Sequence, residues 1–118
     1  MTWYAAHLIE YIKVLHEAQE TFPLYENVVL IQAPSVEDAH SEAERIGRFA
    51  AENAGDIWLD ERPSQMVFGG VRKLIECQDG EMQPQHGTEV SYSQMEAGSE
   101  GDITKLVQGE AVTVLYTE

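Results

Sequence analysis

The hydrophobic positions of residues 35–54 recur at steps of three and four, the spacing that places side chains on one face of a helix. Ser35 suits the N-cap of this helix, and Gly55 suits its C-terminal end. We therefore predict one amphipathic helix, whose apolar stripe consists of Val36, Ala39, Ala43, Ile46 and Ala50. Because this stripe is mostly alanine, the helix can approach a flat β-sheet closely. A close approach would also compensate for Gly47 inside the helix.

Alternating or continuous hydrophobic runs predict five strands around that helix: residues 3–14, 27–33, 65–77, 88–97 and 110–118. The first run is apolar on most of both faces, which indicates a central strand; a helix is the alternative, but the β-branched and aromatic content favours a strand. Gly69 and Gly70 in the third run indicate a β-bulge, a bend or a close backbone approach. A second, two-turn helix begins after Ser99 and ends at Gly109.

The order of these elements predicts the fold class. At 118 residues, the chain forms one domain spanning residues 1–118. We expect an α+β fold, namely a ferredoxin-like βαββαβ sandwich with an extra N-terminal strand, an antiparallel-rich sheet and both helices on one face. The fourth strand should form a hairpin with the third across the turn residues 78–87, which include Asp79 and Gly80. Trp58 is expected to seal one end of the core, with an exposed functional tryptophan as the alternative.

The charge balance narrows the range of partners. Twenty-one Asp and Glu against seven Lys and Arg give a formal net charge of −14 at pH 7. Such a surface repels phosphate backbones and anionic membranes, so we expect no nucleic-acid partner and no membrane partner. It is compatible with a basic protein partner, or it serves only to keep the protein in solution. No apolar run approaches the roughly 18 residues that a membrane span requires.

A single cysteine, Cys77, excludes an intrachain disulfide and a paired-cysteine metal motif. A reducing, cytoplasmic location is therefore expected. The apolar N-terminal stretch lacks a basic beginning and contains Glu10 and Lys13, so we do not interpret it as a signal peptide.

Several short motifs resemble one known family. They are Trp3–Ala6, Val28–Ala33, Ser35–Ala39, Phe68–Val71 and Glu89–Tyr92. In these motifs the chain is similar to the bacterial family catalogued as domain of unknown function 4288. Members of that family open on a WYxA-type strand, and a hydrophobic strand leads into an A-x-S-x-x-x-A helix. The resemblance covers most of the chain, least of all the turn residues 78–87. It implies a compact α/β domain and no particular reaction, because the family has no assigned activity to carry over.

The candidate ligands and catalysts are Cys77 and the histidines at positions 7, 16, 40 and 86. None of them has paired metal-ligand spacing, so we predict no metal site, no cofactor and no catalytic residue. His7, Tyr11 and Arg72 form a candidate ligand-binding set if the aromatic face of the first strand lines a pocket. Otherwise His7 is a hydrogen-bonded core or interface residue. Arg72 and Lys73 are the only adjacent basic pair, and anion binding is one interpretation of them, but alternation along a strand should direct them to opposite faces and so disfavours a simple basic patch.

Two functions from different classes fit these observations. The first is a small non-catalytic acidic interaction module of a bacterial cell that forms a homodimer, because the sheet face opposite the helices would expose an apolar surface. Residues 16–25, folded over that face, are the alternative cover. The second function is a small-ligand-binding or catalytic domain with a pocket near the first and third strands. We prefer the first function, and the sequence leaves an enzymatic role open.

Overall fold

A computed structural model describes residues 1–78 and 81–118, so the predicted Asp79–Gly80 turn lies outside the described residues. The elements are β1 (Thr2–Val14), β2 (Leu24–Ala33), α1 (Val36–Glu52), β3 (Ile57–Leu59), β4 (Arg62–Glu76), β5 (Met95–Glu96), α2 (Glu100–Gln108) and β6 (Leu115–Tyr116). The principal sheet has four antiparallel strands in the order β2-β1-β4-β3, and β5 pairs with β6 separately. The fold is therefore α+β, as predicted. Within the described ranges, no helix is long and apolar enough to cross a membrane.

β1 lies between β2 and β4 and is the central strand that its two apolar faces predict. Its register with β4 shifts between Ile9 and Glu10, which leaves Gly69 as the extra residue of a β-bulge. A Cβ atom at Gly69 would lie 3.1 Å from the Ile9 side chain. The bulge predicted at the glycine pair is confirmed, and the close approach explains why a residue without a side chain stands there.

α1 packs on one face of the sheet through its small residues. Ala39 and Ala43 have no exposed surface and lie against the core residues of β1 and β2. Gly47 is also buried, and a Cβ atom there would overlap the ring of Phe68 in β4. The predicted close approach of helix and sheet is thus confirmed. The core residues of the two strands are Tyr4, Ala6, Leu8, Ile31 and Ala33.

The ends of α1 differ in how well the sequence predicts them. The Ser35 hydroxyl accepts a hydrogen bond from the Asp38 N–H, as expected for an N-cap. The C-cap is Asn53, whereas Gly55 takes the left-handed conformation (φ 78°) two residues later. Gly55 therefore lies in the turn that follows α1 and is not the C-cap of the helix.

The segment predicted as a loop after α1 contains a hairpin. β3 and the start of β4 are joined at Asp60 and Glu61, whose φ angles are 51° and 64°. Two consecutive left-handed residues form the kind of tight turn that matches the twist of paired strands. The turn contains neither glycine nor asparagine, so its sequence signal is weak. Trp58 lies on the short edge strand β3 and is 64% exposed, so the expectation that it seals the core is wrong.

The ferredoxin-like βαββαβ arrangement with an extra N-terminal strand is not confirmed, because the order of elements differs. Residues 88–94 form no strand beside β4; they cross the open face, where Ser91 and the Tyr92 carbonyl contact side chains of the sheet. α2 has the predicted Ser99 and Gly109 caps. However, none of its residues is buried, and in the part of the chain described it packs against no other helix or strand. Of the two helices, only α1 covers the sheet.

The apolar stripe of α1 is correct in its middle and wrong at its ends. Val36 and Ala50 are exposed, because only the middle turns of the helix lie over the sheet. Position 50 therefore provides a matched control for position 43, since both are alanines of the same helix.

We expect Ala43→Leu to overfill the contact between α1 and the sheet and to lower the free energy of unfolding by about 1–3 kcal/mol. Urea unfolding followed by circular dichroism measures this change. Ala50→Leu adds the same side chain at an exposed position, and its effect should stay within about 0.5 kcal/mol. An unchanged unfolding midpoint for Ala43→Leu would show that the helix does not rest on the sheet at this residue.

Candidate functional site

The sheet face opposite α1 is covered at its centre by the C-terminal part of the chain. Odd-numbered residues of β1 point to this face, because Tyr4, Ala6 and Leu8 pack with α1 on the other face. Ala5 has no exposed surface here and His7 is only 3% exposed. Ser91 lies against His7, and Glu118 lies against β4. The prediction that this face stays bare unless a dimer partner or residues 16–25 cover it is therefore wrong at its centre.

Residues 16–25 do cover a second, smaller part of the same face. The Phe22 ring stands edge-on against the Tyr11 ring, with centroids 5.9 Å apart and an interplanar angle of 86°. These two rings, Ile9 and Leu24 line an open cleft of about 340 Å³. We call it the apolar cleft.

A second β-bulge directs the side chains of Arg72 and Lys73 in β4 to the covered face. His7 pairs with Lys73 and Leu8 pairs with Val71, so Arg72 is the extra residue between them. A bulge re-aims side chains that would otherwise alternate. As a result, Arg72 and Lys73 both contact the Glu118 side chain. The prediction that they point to opposite faces is wrong, because it assumes a regular strand.

The Glu118 carboxylate lies between these two cations. One of its oxygens accepts a hydrogen bond from the Arg72 guanidinium. The other accepts hydrogen bonds from Lys73 Nζ at 2.7 Å and from the Gln94 N–H at 3.0 Å. The hydrogen bond from Lys73 has the largest effect on the pKa of Glu118; burial opposes it, and the bonds from Arg72 and Gln94 reinforce it. Together they lower this pKa from an ordinary 4.5 to about 2.

Two tyrosine rings flank the cations. The guanidinium carbon of Arg72 lies 4.3 Å from the centroid of the Tyr116 ring, and Lys73 Nζ lies 5.4 Å from that of Tyr92. Both distances are within the range of cation–π attraction. Lys73 also donates a hydrogen bond to the Tyr92 carbonyl oxygen. The two cations are therefore held by aromatic faces as well as by carboxylates.

His7 extends this charged cluster toward the centre of the sheet. Its Nδ1 lies 3.2 Å from Glu26 Oε2, and its Nε2 contacts the Ser91 hydroxyl. With Nδ1–H donating to Glu26, Nε2 accepts a hydrogen bond from the Ser91 hydroxyl. Arg72 Nε donates to the other oxygen of Glu26. Burial acts to raise the pKa of Glu26, but the hydrogen bonds from Arg72 and His7 outweigh it and hold that pKa below 4.5.

The order of the side chains in this cluster resembles a catalytic arrangement, but their surroundings do not. Ser91, His7 and Glu26 follow the order hydroxyl, imidazole and carboxylate, which in hydrolases activates a serine. Here, however, the imidazole is closed off from solvent and Glu26 also binds Arg72. In residues 1–78 and 81–118, no three His, Cys, Asp or Glu side chains are placed to hold a metal ion. The cluster as it stands is a closed polar network.

The three residues predicted to form a ligand site lie in two places. His7 and Arg72 come together, because each of them binds one oxygen of Glu26. Tyr11 lies in the apolar cleft, apart from this cluster.

Sequence reasoning missed Glu26, Ser91 and Glu118. Glu26 had a signal: it is the only charged residue in the hydrophobic stretch 24–33, and a lone carboxylate there needs a partner. Ser91 and Glu118 had no such signal, because each is distant in sequence from the strand residues that it contacts.

We expect the Glu118 carboxyl group to titrate near pH 2 in ¹³C NMR spectra, instead of near its ordinary 4.5. Because the pKa is lowered in the folded state, ionised Glu118 stabilises the docked segment above about pH 4.5, and this contribution is lost as pH falls through about 2. Lys73→Met should move the pKa back toward 4.5. Lys13→Met removes an exposed lysine near the far end of β1 and should leave the pKa unchanged. A midpoint near 4.5 in the unmodified chain would contradict the described contacts.

Comparison with known proteins bears on the region that carries most of this cluster. A family model described as a domain of unknown function (DUF4288) matches residues 3–93. The match includes β1 to β4 and α1, and it ends before β5, α2 and β6. No curated protein and no solved structure matches the chain. The match confirms the resemblance seen in the short motifs, and because it spans most of the sequence, the chain belongs to the DUF4288 family.

Proposed function

We propose that this protein is a small non-catalytic, acidic interaction module that forms a homodimer through the outer edge of β2. The observation that carries the proposal is that β2 is a long edge strand with an exposed apolar surface.

The position of β2 leaves half of its backbone groups without a strand partner. It is the first strand of the sheet, and among the residues that the structure describes it pairs only with β1, over ten residues. Alternate N–H and C=O groups of such a strand point away from the sheet, ready to pair with another chain. Proteins protect edges of this kind with lysine, proline or bulges. β2 contains no lysine and no proline, and its register with β1 is regular.

The side chains of β2 make the same edge apolar. Leu24, Val28 and Leu30 lie on the open face and are 60%, 47% and 45% exposed. Leu24 also lines the apolar cleft, so the exposed surface continues onto β1. We call Leu24, Val28, Leu30 and the outer backbone of β2 the β2 edge surface. Surfaces of this type in soluble proteins mark interaction sites.

Charge favours a second copy of the chain as the partner at this surface. Two molecules with a charge of −14 each repel one another over most of their surfaces. Glu26 is the only charged residue of β2, and it is already paired with Arg72 and His7. The β2 edge surface is therefore where two copies can approach with little repulsion. Antiparallel pairing of β2 with its copy is a two-fold arrangement that joins the two four-stranded sheets into one.

The remaining acidic surface suits a basic protein as a further partner. A reducing bacterial cytoplasm is the proposed setting, and its basis is the single buried Cys77.

We expect light scattering at micromolar concentration to give twice the chain mass of 13.2 kDa. Val28→Lys should convert the dimer to monomers, because it places a charge within an apolar, strand-paired interface. Raising the salt concentration should strengthen the dimer of the unmodified chain, since it screens the repulsion between two acidic molecules.

Val107→Lys is the matched control, because Val107 is an even more exposed valine but lies on α2. This variant should remain a dimer. A monomer mass for the unmodified chain would refute self-association, and a dimer that only Val107→Lys disrupts would move the interface to α2. Far-ultraviolet circular dichroism should show the same fold in both variants.

The second candidate function is a catalytic or small-ligand-binding domain, and one observation favours it. Ser91, His7 and Glu26 are hydrogen-bonded in the order that activates a serine nucleophile. Its weakness is access, because His7 is almost fully buried beneath the segment that carries Ser91.

A fluorophosphonate probe tests this second candidate, since it forms a covalent bond with an activated serine and releases fluoride. Under the interaction-module function, we expect mass spectrometry to find no adduct on the intact protein. An adduct that disappears in Ser91→Ala but persists in Ser93→Ala would establish the catalytic alternative. Ser93 is the matched control, because it is an exposed serine of the same segment.

A further inference from the structure

We propose that Arg72 and Lys73 form a binding site for a small-molecule carboxylate, and that the Glu118 side chain occupies this site as an intramolecular competitor. The proposal is independent of self-association, because it concerns the centre of the open face and not the outer edge of β2.

The contacts of Glu118 show what the site recognises. Both carboxylate oxygens are bound, one by the Arg72 guanidinium and the other by Lys73 Nζ and the Gln94 N–H. Two cations and a backbone amide thus converge on one planar group, which is the donor set expected for a carboxylate ligand. The Tyr116 ring lies against Arg72 and the Tyr92 ring against Lys73, which adds apolar surface beside each cation. The side chains of Arg72 and Lys73 are 22% and 12% exposed, so a bound carboxylate is partly shielded from water.

Arg72 and Lys73 concentrate positive charge at one point of a chain that is otherwise acidic. Only seven basic residues occur against twenty-one acidic ones, and these two are the only adjacent pair. The β-bulge at Arg72 then directs both of them to one point. Glu26 neutralises part of the charge of Arg72 by accepting a hydrogen bond from its Nε–H, whereas Lys73 forms an ion pair with Glu118 and with no other carboxylate among the described residues.

The occupant and the site come from different parts of the chain. Arg72, Lys73 and Tyr92 lie within residues 3–93, the region that the DUF4288 model matches, whereas Gln94, Tyr116 and Glu118 lie outside it. The cation pair therefore belongs to the family domain, and the carboxylate that fills it is supplied by the segment beyond. This separation is what we expect of a site with its own function and an added internal ligand.

The segment that carries Glu118 is lightly held, which allows exchange. No residue of α2 is buried, and α2 packs against no strand of the principal sheet in the described part of the chain. Beyond α2, this segment reaches the principal sheet through the Tyr116 ring and the Glu118 carboxylate. An internal ligand on such a segment acts at an effective concentration on the order of millimolar. A free carboxylate must compete with it, so binding to the unmodified chain should be weak and should tighten when the Glu118 charge is removed.

The test compares the unmodified chain with Glu118→Gln, using N-acetylglutamate α-amide as the probe because it reproduces the Glu118 side chain. Binding is measured by ¹⁵N NMR at the Arg72 Nε and Gln94 amide signals. We expect Glu118→Gln to bind the probe at least about tenfold more tightly than the unmodified chain, and the double variant Glu118→Gln/Lys73→Met to lose this gain. Glu110→Gln removes an exposed carboxylate from the same segment and should bind like the unmodified chain.

Each other outcome overturns part or all of the proposal. Equal affinities for Glu118→Gln and the unmodified chain would show that Arg72 and Lys73 serve only to anchor the segment. The same conclusion follows if Glu118→Ala, used as a second variant, releases the segment without any gain in binding. Tighter binding of inorganic phosphate than of the probe would overturn the carboxylate class. The molecular mass in light scattering reports separately on the β2 edge surface, so failure of one proposal does not imply failure of the other.

Discussion

β1 is apolar on both faces and paired on both edges, so both of its faces must be covered for the chain to fold. α1 covers one face, and its alanines and Gly47 let the helix sit close to the strands. Residues 88–94 and Glu118 cover the centre of the other face, and Phe22 covers part of its far end. The outer strand β2 is left with exposed apolar side chains. The proposed dimer interface is therefore the apolar part of the sheet that a single chain leaves uncovered.

Those features that depend on neighbouring residues could be predicted from the sequence. The Ser35 and Ser99 caps, the central character of β1 and the bulge at Gly69 all follow from local backbone chemistry and hydrophobic spacing. The close approach of α1 could be predicted as well, because small residues on a helix face limit how the helix can pack. The exposure of the first and last positions of its apolar stripe could not be predicted, because the length of helix that lies over the sheet depends on where the strands end.

What could not be predicted depends on contacts between distant segments. Residues 88–94 alternate like a strand, yet their polar atoms bind His7 and Lys73 on the sheet face instead of pairing beside β4. The ferredoxin-like interpretation failed at this step, because it assigned strand pairing from order alone. The hairpin at Asp60 and Glu61 was missed for a different reason, because Glu61 stands where a left-handed turn that begins with Asp usually has glycine.

The bulge at Arg72 links the fold to the chemistry. A regular β4 would place Arg72 and Lys73 on opposite faces, where each would add one charge to a different surface. One extra residue in β4 brings both cations to the face where Glu26 and Glu118 lie. In a chain of net charge −14, two converging cations attract any carboxylate within reach. The bulge at Arg72 thus creates a place where this acidic protein holds an anion between two positive charges. Whether that anion comes from the chain or from solution depends on how firmly the segment carrying Glu118 is held.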